Sequence, residues 1–396
     1  MQRRPRLILP IIVASQFAGG SLWFAANAVL GDLQREWGLP AAALGDATSA
    51  VQLGFILGTL AFAFFAISDR FSPRLVFCAC SLAGAVANAG VLVLPESLWP
   101  LLGSRFAAGF FLAGIYPVGM KIAAGWYRRD LGNAIGFLVG ALVLGTAFPH
   151  LLKALGQSLP WEAVMVGVSA IAVVGGLAML AVADGPHLAQ GAPFDPRALA
   201  VIFRSRAFRA SAFGYFGHMW ELYAFWAFVP VALAAHAAAQ GGADLGISLW
   251  AFLVIAAGSL GCAGGGLVSL KAGSARVAFA QLAASGACCA LSPLAFHAPT
   301  PVFLAFLLFW GVVVAGDSPQ FSTLNARNAP PQLVGSALTI ANSIGFAITI
   351  PSIQLLNAVA PAVPPSWIFV PLTVGPILGL AALAPLLRPL KAYGTP

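Results

Sequence analysis

The stretch ASAFGYFGHMWELYAFWAFVPVALAA, residues 210–235, contains one acid, Glu221, and one imidazole, His218. An apolar run of this length reads as a helix that crosses a bilayer. At 1.5 Å per residue, Glu221 lies roughly 18 Å along that helix from Arg209, close to the middle of the membrane. A carboxylate at that depth needs a partner or water, and both choices carry functional meaning.

The rest of the chain has the same solvent preference. Of its 396 residues, 60% are hydrophobic and only 8% are charged. Soluble domains carry about 25% charged residues, so this chain cannot cover a water-facing surface. Lipid offers no partner for a free backbone group, which makes the spanning elements helices. Twelve apolar runs are long enough: near 7–30, 43–68, 75–94, 98–126, 131–155, 161–183, 210–235, 245–270, 276–296, 301–326, 332–359 and 365–387. The first, from Leu7 to Leu30, is too long for the apolar region of a cleaved signal and is taken as the first span.

The basic residues set orientation. With twelve spans, sixteen Lys and Arg fall on the side of the termini and two, Arg35 and Lys153, on the other. By the positive-inside rule both termini are expected in the cytoplasm of a bacterial-type inner membrane. The net charge of +8 therefore belongs to topology, and nucleic acid is not an expected partner. The five cysteines all lie in apolar runs, as small packing residues do.

The chain also repeats itself. At an offset of 202, Gln16 falls on His218, Trp23 and Phe24 on Phe225 and Trp226, and Arg74 on Arg276. At the same offset Ala113, Gly114 and Pro117 fall on Ala315, Gly316 and Pro319, and Pro149 falls on Pro351. The expected fold class is an all-α membrane protein of twelve helices in two pseudo-symmetric six-helix bundles. Expected units are an N-terminal bundle 1–183, a Pro/Gly-rich cytoplasmic linker 184–209, and a C-terminal bundle 210–396.

Three motifs now carry a resemblance. FAISDRFSPR, 65–74, is similar to the loop between the second and third helices of the major facilitator superfamily, with Asp69, Arg70 and Arg74 matching. Phe65, Ser72 and Pro73 stand where that pattern has Gly, Gly and a basic residue. Arg105 and Gly109 match the Arg-x-x-x-Gly of the fourth helix, and GFLVGALVLGTAFP, 136–149, resembles a glycine-rich fifth helix without its GPxxGG core. GMKIAAGWYRRDLGNAIGFLVG, 119–140, is loosely similar to bacterial porters of small anions such as cyanate and nitrate. The substrate arginines that nitrate porters carry on helices 2 and 8 are missing.

The resemblance implies a fold in which helices 1, 4, 7 and 10 line a central cavity. The buried polar groups of this chain gather on those helices. Expected substrate contacts are Gln16, Trp23 and Asn27 on the first, Arg105 and Tyr116 on the fourth, and Trp220 and Tyr223 on the seventh. Arg105 is suited to a carboxylate. His218 and Glu221, three residues apart on one helix face, are expected to share a proton. Asp317 sits before Pro319, which cannot donate to the helix ladder, so a kink beside a carboxylate is expected there. His218, Glu221 and Asp317 are thus the expected proton-coupling groups. Asp69, Arg70 and Arg74 are the implied cytoplasmic latch, with Asp69 toward a helix N-terminus of the other half and the arginines toward acids. Lys121 is expected to snorkel to the interface.

The expected function is secondary active transport of a small polar or anionic organic solute by alternating access, coupled to protons. The expected partners are that solute, protons and the lipid bilayer, and the expected state is a monomer. Efflux of amphipathic cations, drawn by Glu221 and Asp317, is the alternative within this class. A non-transporting membrane sensor or assembly factor is the alternative outside it, and an attached soluble domain would signal it. No P-loop, HExxH or paired CxxC motif is present, so no enzyme, cofactor or metal site is expected.

Overall fold

In the computed structural model, residues 7–127, 131–156, 159–188, 195, 197–242 and 245–387 are described. Arg3, Arg4, Arg6, Arg128, Arg129, Arg388 and Lys391, counted above for orientation, lie outside them, as do 189–194 and 196 of the linker. Twelve helices are long and apolar enough to span. Spans 1 to 6 are Ile8–Glu36, Ala43–Phe64, Pro73–Gly90, Leu98–Trp126, Gly132–Leu155 and Trp161–Met179. Spans 7 to 12 are Arg206–Ala239, Ile247–Ala272, Ser274–Phe296, Thr300–Asn328, Pro331–Val359 and Pro365–Leu387. The face where span 1 begins is called near, and the opposite face far.

Spans 1, 4 and 10, all expected to line the centre, are interrupted, and span 12 opens with two short 3-10 turns before its α-helix begins at Val374. Span 1 unwinds over 21–24, between helices Ile8–Gly20 and Ala25–Glu36. Span 4 breaks between Leu112 and Tyr116, just before Pro117. Span 10 breaks at Asp317, just before Pro319. Proline is tolerated in the first turn of a helix, where its missing N–H has no intrahelical partner to lose. Pro149 and Pro351 instead stay inside continuous helices, which neighbouring spans support. The repeat thus reappears as matched breaks in spans 4 and 10 and matched continuous prolines, whereas span 7, the repeat mate of span 1, is unbroken.

Glycines set how closely the spans approach. A Cβ on Gly109 of span 4 would stand 2.1 Å from the Val51 carbonyl oxygen of span 2. A Cβ on Gly311 of span 10, 202 residues later, would stand 2.0 Å from that of Val254 in span 8. Both bundles therefore pack backbone against backbone at the same point. The five cysteines are buried and free.

The two bundles meet through spans 2 and 11 and through spans 5 and 8. Toward the far face the seam is closed. Gln354 Nε2 of span 11 donates to Ser49 Oγ at 2.9 Å and to Asp46 Oδ1 at 3.2 Å in span 2. Asn357 Nδ2 donates to the Ala42 carbonyl at 3.0 Å. Toward the near face two clefts separate the bundles. One, of about 490 Å³, lies between spans 2 and 4 and the start of span 11. The other, of about 730 Å³, lies between the start of span 5 and the near ends of spans 8 and 10.

Candidate functional site

Between the bundles, at mid-depth, a cavity of about 40 Å³ is lined by Tyr116 and Leu142 of the first bundle and by Tyr215, Tyr223, Ser318 and Asn342 of the second. A water needs about 10–15 Å³ by this measure, so the space admits a few waters and would have to widen for a solute. Tyr116 and Ser318 are a repeat pair, each immediately after a helix break. A break turns a short polar side chain and free backbone groups toward the centre, where an unbroken helix would present only one stripe.

Aromatic rings close the cavity on its far side. Trp23, in the unwound part of span 1, stacks on Phe346 at 5.5 Å and meets Tyr223 at 5.6 Å and Phe55 at 4.8 Å. Its indole N–H donates to Gln52 Oε1 at 3.1 Å, which fixes the ring. Phe24 packs edge-on against Trp226, its repeat mate, at 6.3 Å. The plug takes rings from spans 1, 2, 7 and 11, so any opening of the far seam must break it.

Beside the cavity lies a buried pair. His218 Nδ1 is 2.8 Å from Asp317 Oδ1, and its Nε2 is 2.7 Å from Ser318 Oγ. The pair is almost wholly excluded from solvent, at 1% and 0% exposure. Ser318 therefore touches both the cavity and the imidazole.

Glu221 is not part of that pair. Its Oε1 accepts from Trp310 Nε1 at 2.7 Å and from Ser285 Oγ, which ties span 7 to spans 9 and 10 inside the second bundle. The expected His218–Glu221 contact is absent. Three residues turn a helix by 300°, so the two side chains diverge by about 60°. His218 meets the break in span 10, whereas Glu221 meets two neutral donors on the bundle's interior. Glu221 does not line the central cavity. Glu221→Gln keeps an acceptor oxygen for both donors and is expected to leave transport and its pH dependence within about two-fold of wild type. Glu221→Leu strands the buried indole N–H and hydroxyl and should lower thermal stability by about 1–3 kcal/mol. Loss of pH-driven uptake in a stable Glu221→Gln protein would return the proton role to this residue.

Arg105 is also turned away from the cavity. Its Nη2 donates to the carbonyls of Leu22 at 2.6 Å and Trp23 at 2.8 Å, and its Nη1 to Asn88 Oδ1 at 3.0 Å. Asn88 in turn donates to Ser169 Oγ at 3.0 Å and the Met165 carbonyl at 3.2 Å. The arginine thus satisfies the carbonyls that the break in span 1 sets free and is not among the described lining of the central cavity.

The other expected contacts divide. Tyr116 and Tyr223 line the cavity, and Trp23 closes it. Gln16 is buried inside the first bundle, its amide without a hydrogen-bond partner and its Oε1 2.1 Å from where a Cβ on Gly119 would stand. Asn27 donates to Thr48 Oγ1 at 2.8 Å and joins spans 1 and 2. Trp220 points outward to span 12, its indole N–H 3.5 Å from the Pro371 carbonyl. None of these three reaches the cavity. Tyr215, Ser318, Ser322 and Asn342 do reach it and were not anticipated. Only Ser318 had a signal in the sequence, its place after the break and opposite Tyr116 in the repeat.

At the near face Asp69 Oδ1 is 2.5 Å from Lys121 Nζ, which also donates to the Ser68 carbonyl at 2.6 Å. Lys121 thus reaches the near-face loop between spans 2 and 3. Asp69 and the first turn of span 11, with Gly335 and Ser336, face the same cleft. Arg74 donates to the Leu180 carbonyl at 3.3 Å and is in no ion pair with an acid among the described residues, and Arg70 is exposed. Among the described residues no cluster of His, Cys, Asp or Glu is suited to a metal.

A family profile described as Major Facilitator Superfamily matches residues 12–352. Among curated proteins, none matches the sequence significantly. Solved structures with the same fold include the human organic anion transporter MFSD10 (TETRAN), at 16% identity and a TM-score of 0.70, covering 96% of this chain and all, 100%, of that one. The proton:xylose symporter XylE aligns at 13% identity and a TM-score of 0.73, covering 96% of this chain and 95% of its own. The nucleoside transporter NupG aligns at 12% identity and a TM-score of 0.70, covering 96% and 100%.

Proposed function

The chain belongs to the Major Facilitator Superfamily, and on that premise we propose that it carries a small polar organic solute through the cavity between its bundles, with protons coupled at His218 and Asp317. It is a secondary transporter and not an enzyme. The observation that carries the finer reading is the contact chain Asp317–His218–Ser318, which links a buried ionisable pair to the cavity wall.

With a neutral imidazole the pair has a net negative charge, and with an imidazolium it has none. Burying an unbalanced charge costs several kcal/mol, so the proton-loaded pair is the one that passes through a closed state. A solute on Ser318 and Asn342 would sense that switch through one hydroxyl. The units 1–183 and 210–396 would rock about the linker 184–209, as a monomer in a bacterial-type inner membrane with the near face cytoplasmic. The Asp69 loop would meet the first turn of span 11 when the near cleft shuts. A carboxylate there is favoured by the helix N-terminus.

The cavity's character narrows the solute. Tyrosine, serine and asparagine offer hydrogen bonds beside aromatic faces, and no lysine or arginine is among the described lining residues. With Arg105 engaged elsewhere, a neutral polar solute fits better than an anion. A sugar and nucleosides are the named cargoes of two of the similar structures, and one of those couples to protons, which supports the reading. The same absence of cationic lining favours amphipathic cations as the second reading.

The test is a thermal-shift panel of sugars, nucleosides, organic anions and cationic dyes on the purified protein. A binder present at 100 times its Kd should stabilise by about 2.7 kcal/mol. Stabilisation by neutral polar solutes, followed by their pH-driven uptake in proteoliposomes, is expected. Stabilisation by cationic dyes alone would overturn it in favour of efflux.

A further inference from the structure

We propose that an anionic phospholipid binds at the near end of spans 8 and 9, with an acyl chain in a groove between them and its phosphate in the adjoining cationic cleft. The two cavities share Ala272 as a wall. The first is an apolar groove of about 490 Å³, walled by Leu260, Gly264 and Val268 of span 8, Val277 and Ala280 of span 9, and Val312 of span 10. Glycine spacing creates it. A Cβ on Gly261 would stand 1.9 Å from the Val312 carbonyl oxygen, so span 10 lies close behind. A Cβ on Gly264 would meet nothing within 4 Å, so the front of the trough is open. Leu260 and Val268 are 70% and 56% exposed, as groove walls facing acyl chains would be.

Charge collects at one end of this groove. Arg276 stands at its near-face end. The second cavity, the near-face cleft of about 730 Å³, carries Lys271 and Arg327 together with Ser269, Ser274 and Thr323. No acidic residue is among the described lining of either cavity. None of the three cations is in an ion pair among the described residues. Span 9 also starts in the cleft, behind Gly273 and without a side-chain cap, so its first N–H groups add a positive dipole end.

The combination selects the occupant. A soluble anion would use only the cleft, and a zwitterionic lipid would gain little from the three cations. A lipid with a net negative headgroup uses both, as basic pockets between spanning helices do. This site is separate from the central cavity and does not depend on which solute is carried.

The experiment uses the full chain in detergent, titrated with phosphatidylglycerol, with phosphatidylcholine and with inorganic phosphate, and read by native mass spectrometry and thermal shift. Phosphatidylglycerol is expected to bind about tenfold or more tightly than phosphatidylcholine, with phosphate alone giving no comparable shift. Lys271→Gln, Arg276→Gln and Arg327→Gln should each weaken phosphatidylglycerol about five-fold. Gly264→Leu, which fills the groove where there is open space, should weaken both lipids. Equal affinity for the two lipids overturns the proposal. So does stabilisation by phosphate equal to that by phosphatidylglycerol, which would mark a soluble-anion site. Unaltered lipid affinity in all four variants overturns it as well. Should one variant fail to fold, the comparison of lipids on the wild-type chain still decides.

Discussion

Asp317→Asn in proteoliposomes is expected to abolish solute accumulation driven by a pH gradient while counterflow of solute across the same membrane persists. The substitution keeps the size of the side chain and a carbonyl oxygen for His218 Nδ1, now 2.8 Å from the carboxylate. It removes the charge that makes the imidazolium worth holding in a buried site. Coupling then has no charged state to switch, and accumulation should fall on the order of tenfold or more, since about 1.4 kcal/mol is enough for that factor. The wild-type rate of counterflow should vary with pH on both sides of the membrane, and the variant's should not. His218→Gln should show the same loss, because the imidazole is the group that bridges Asp317 to Ser318. A variant that still concentrates solute against its gradient in response to pH would remove the pair from the mechanism. A variant that loses counterflow as well would make Asp317 a solute-binding or structural residue.

The second large effect is expected at Arg105. Arg105→Leu leaves the carbonyls of Leu22 and Trp23 and the side-chain oxygen of Asn88 without donors. Each buried acceptor left unmet costs about 1–3 kcal/mol, so a loss on the order of 3 kcal/mol or more is expected, with a melting point lower by several degrees. Arg105→Lys should rescue little, because a single ammonium cannot reach three acceptors with the fork of a guanidinium. The folded fraction that survives should bind solute with a Kd within about two-fold of wild type. An Arg105→Leu protein with normal stability and no solute binding would restore the arginine to the cavity. The same scaffold argument gives Trp23 its meaning. Its backbone carbonyl is held by Arg105 and its ring by Gln52, so the plug is positioned from two sides.

How much of this was legible beforehand differs between solvent preference and partner choice. Twelve spans and their helical form follow from hydropathy, because lipid constrains every backbone group of a run at once, and the two-bundle architecture follows from the repeat. The break before Pro319 was expected from a missing N–H, a local property, but Pro149 and Pro351 lack the same N–H inside continuous helices, so packing decides which proline breaks a span. The repeat brings Tyr116 and Ser318 to matched places, and the central pair of hydroxyls could be read from the offset of 202.

The partners of buried polar groups are another matter. His218 and Glu221 are one turn apart, and that proximity suggested a pair. The angle between them is small on a helical wheel, yet it separates a neighbour at position 317 from neighbours at 285 and 310. Nothing local tells a carboxylate that an indole from 89 positions away will reach it. Arg105 illustrates the same limit, because the carbonyls it holds are free only where span 1 unwinds, 82 and 83 positions away. A side chain's solvent can be read along the chain, since every residue of a span shares it. A side chain's partner is set by rotation and crossing of helices that pack far apart in sequence, and only the folded bundles supply that.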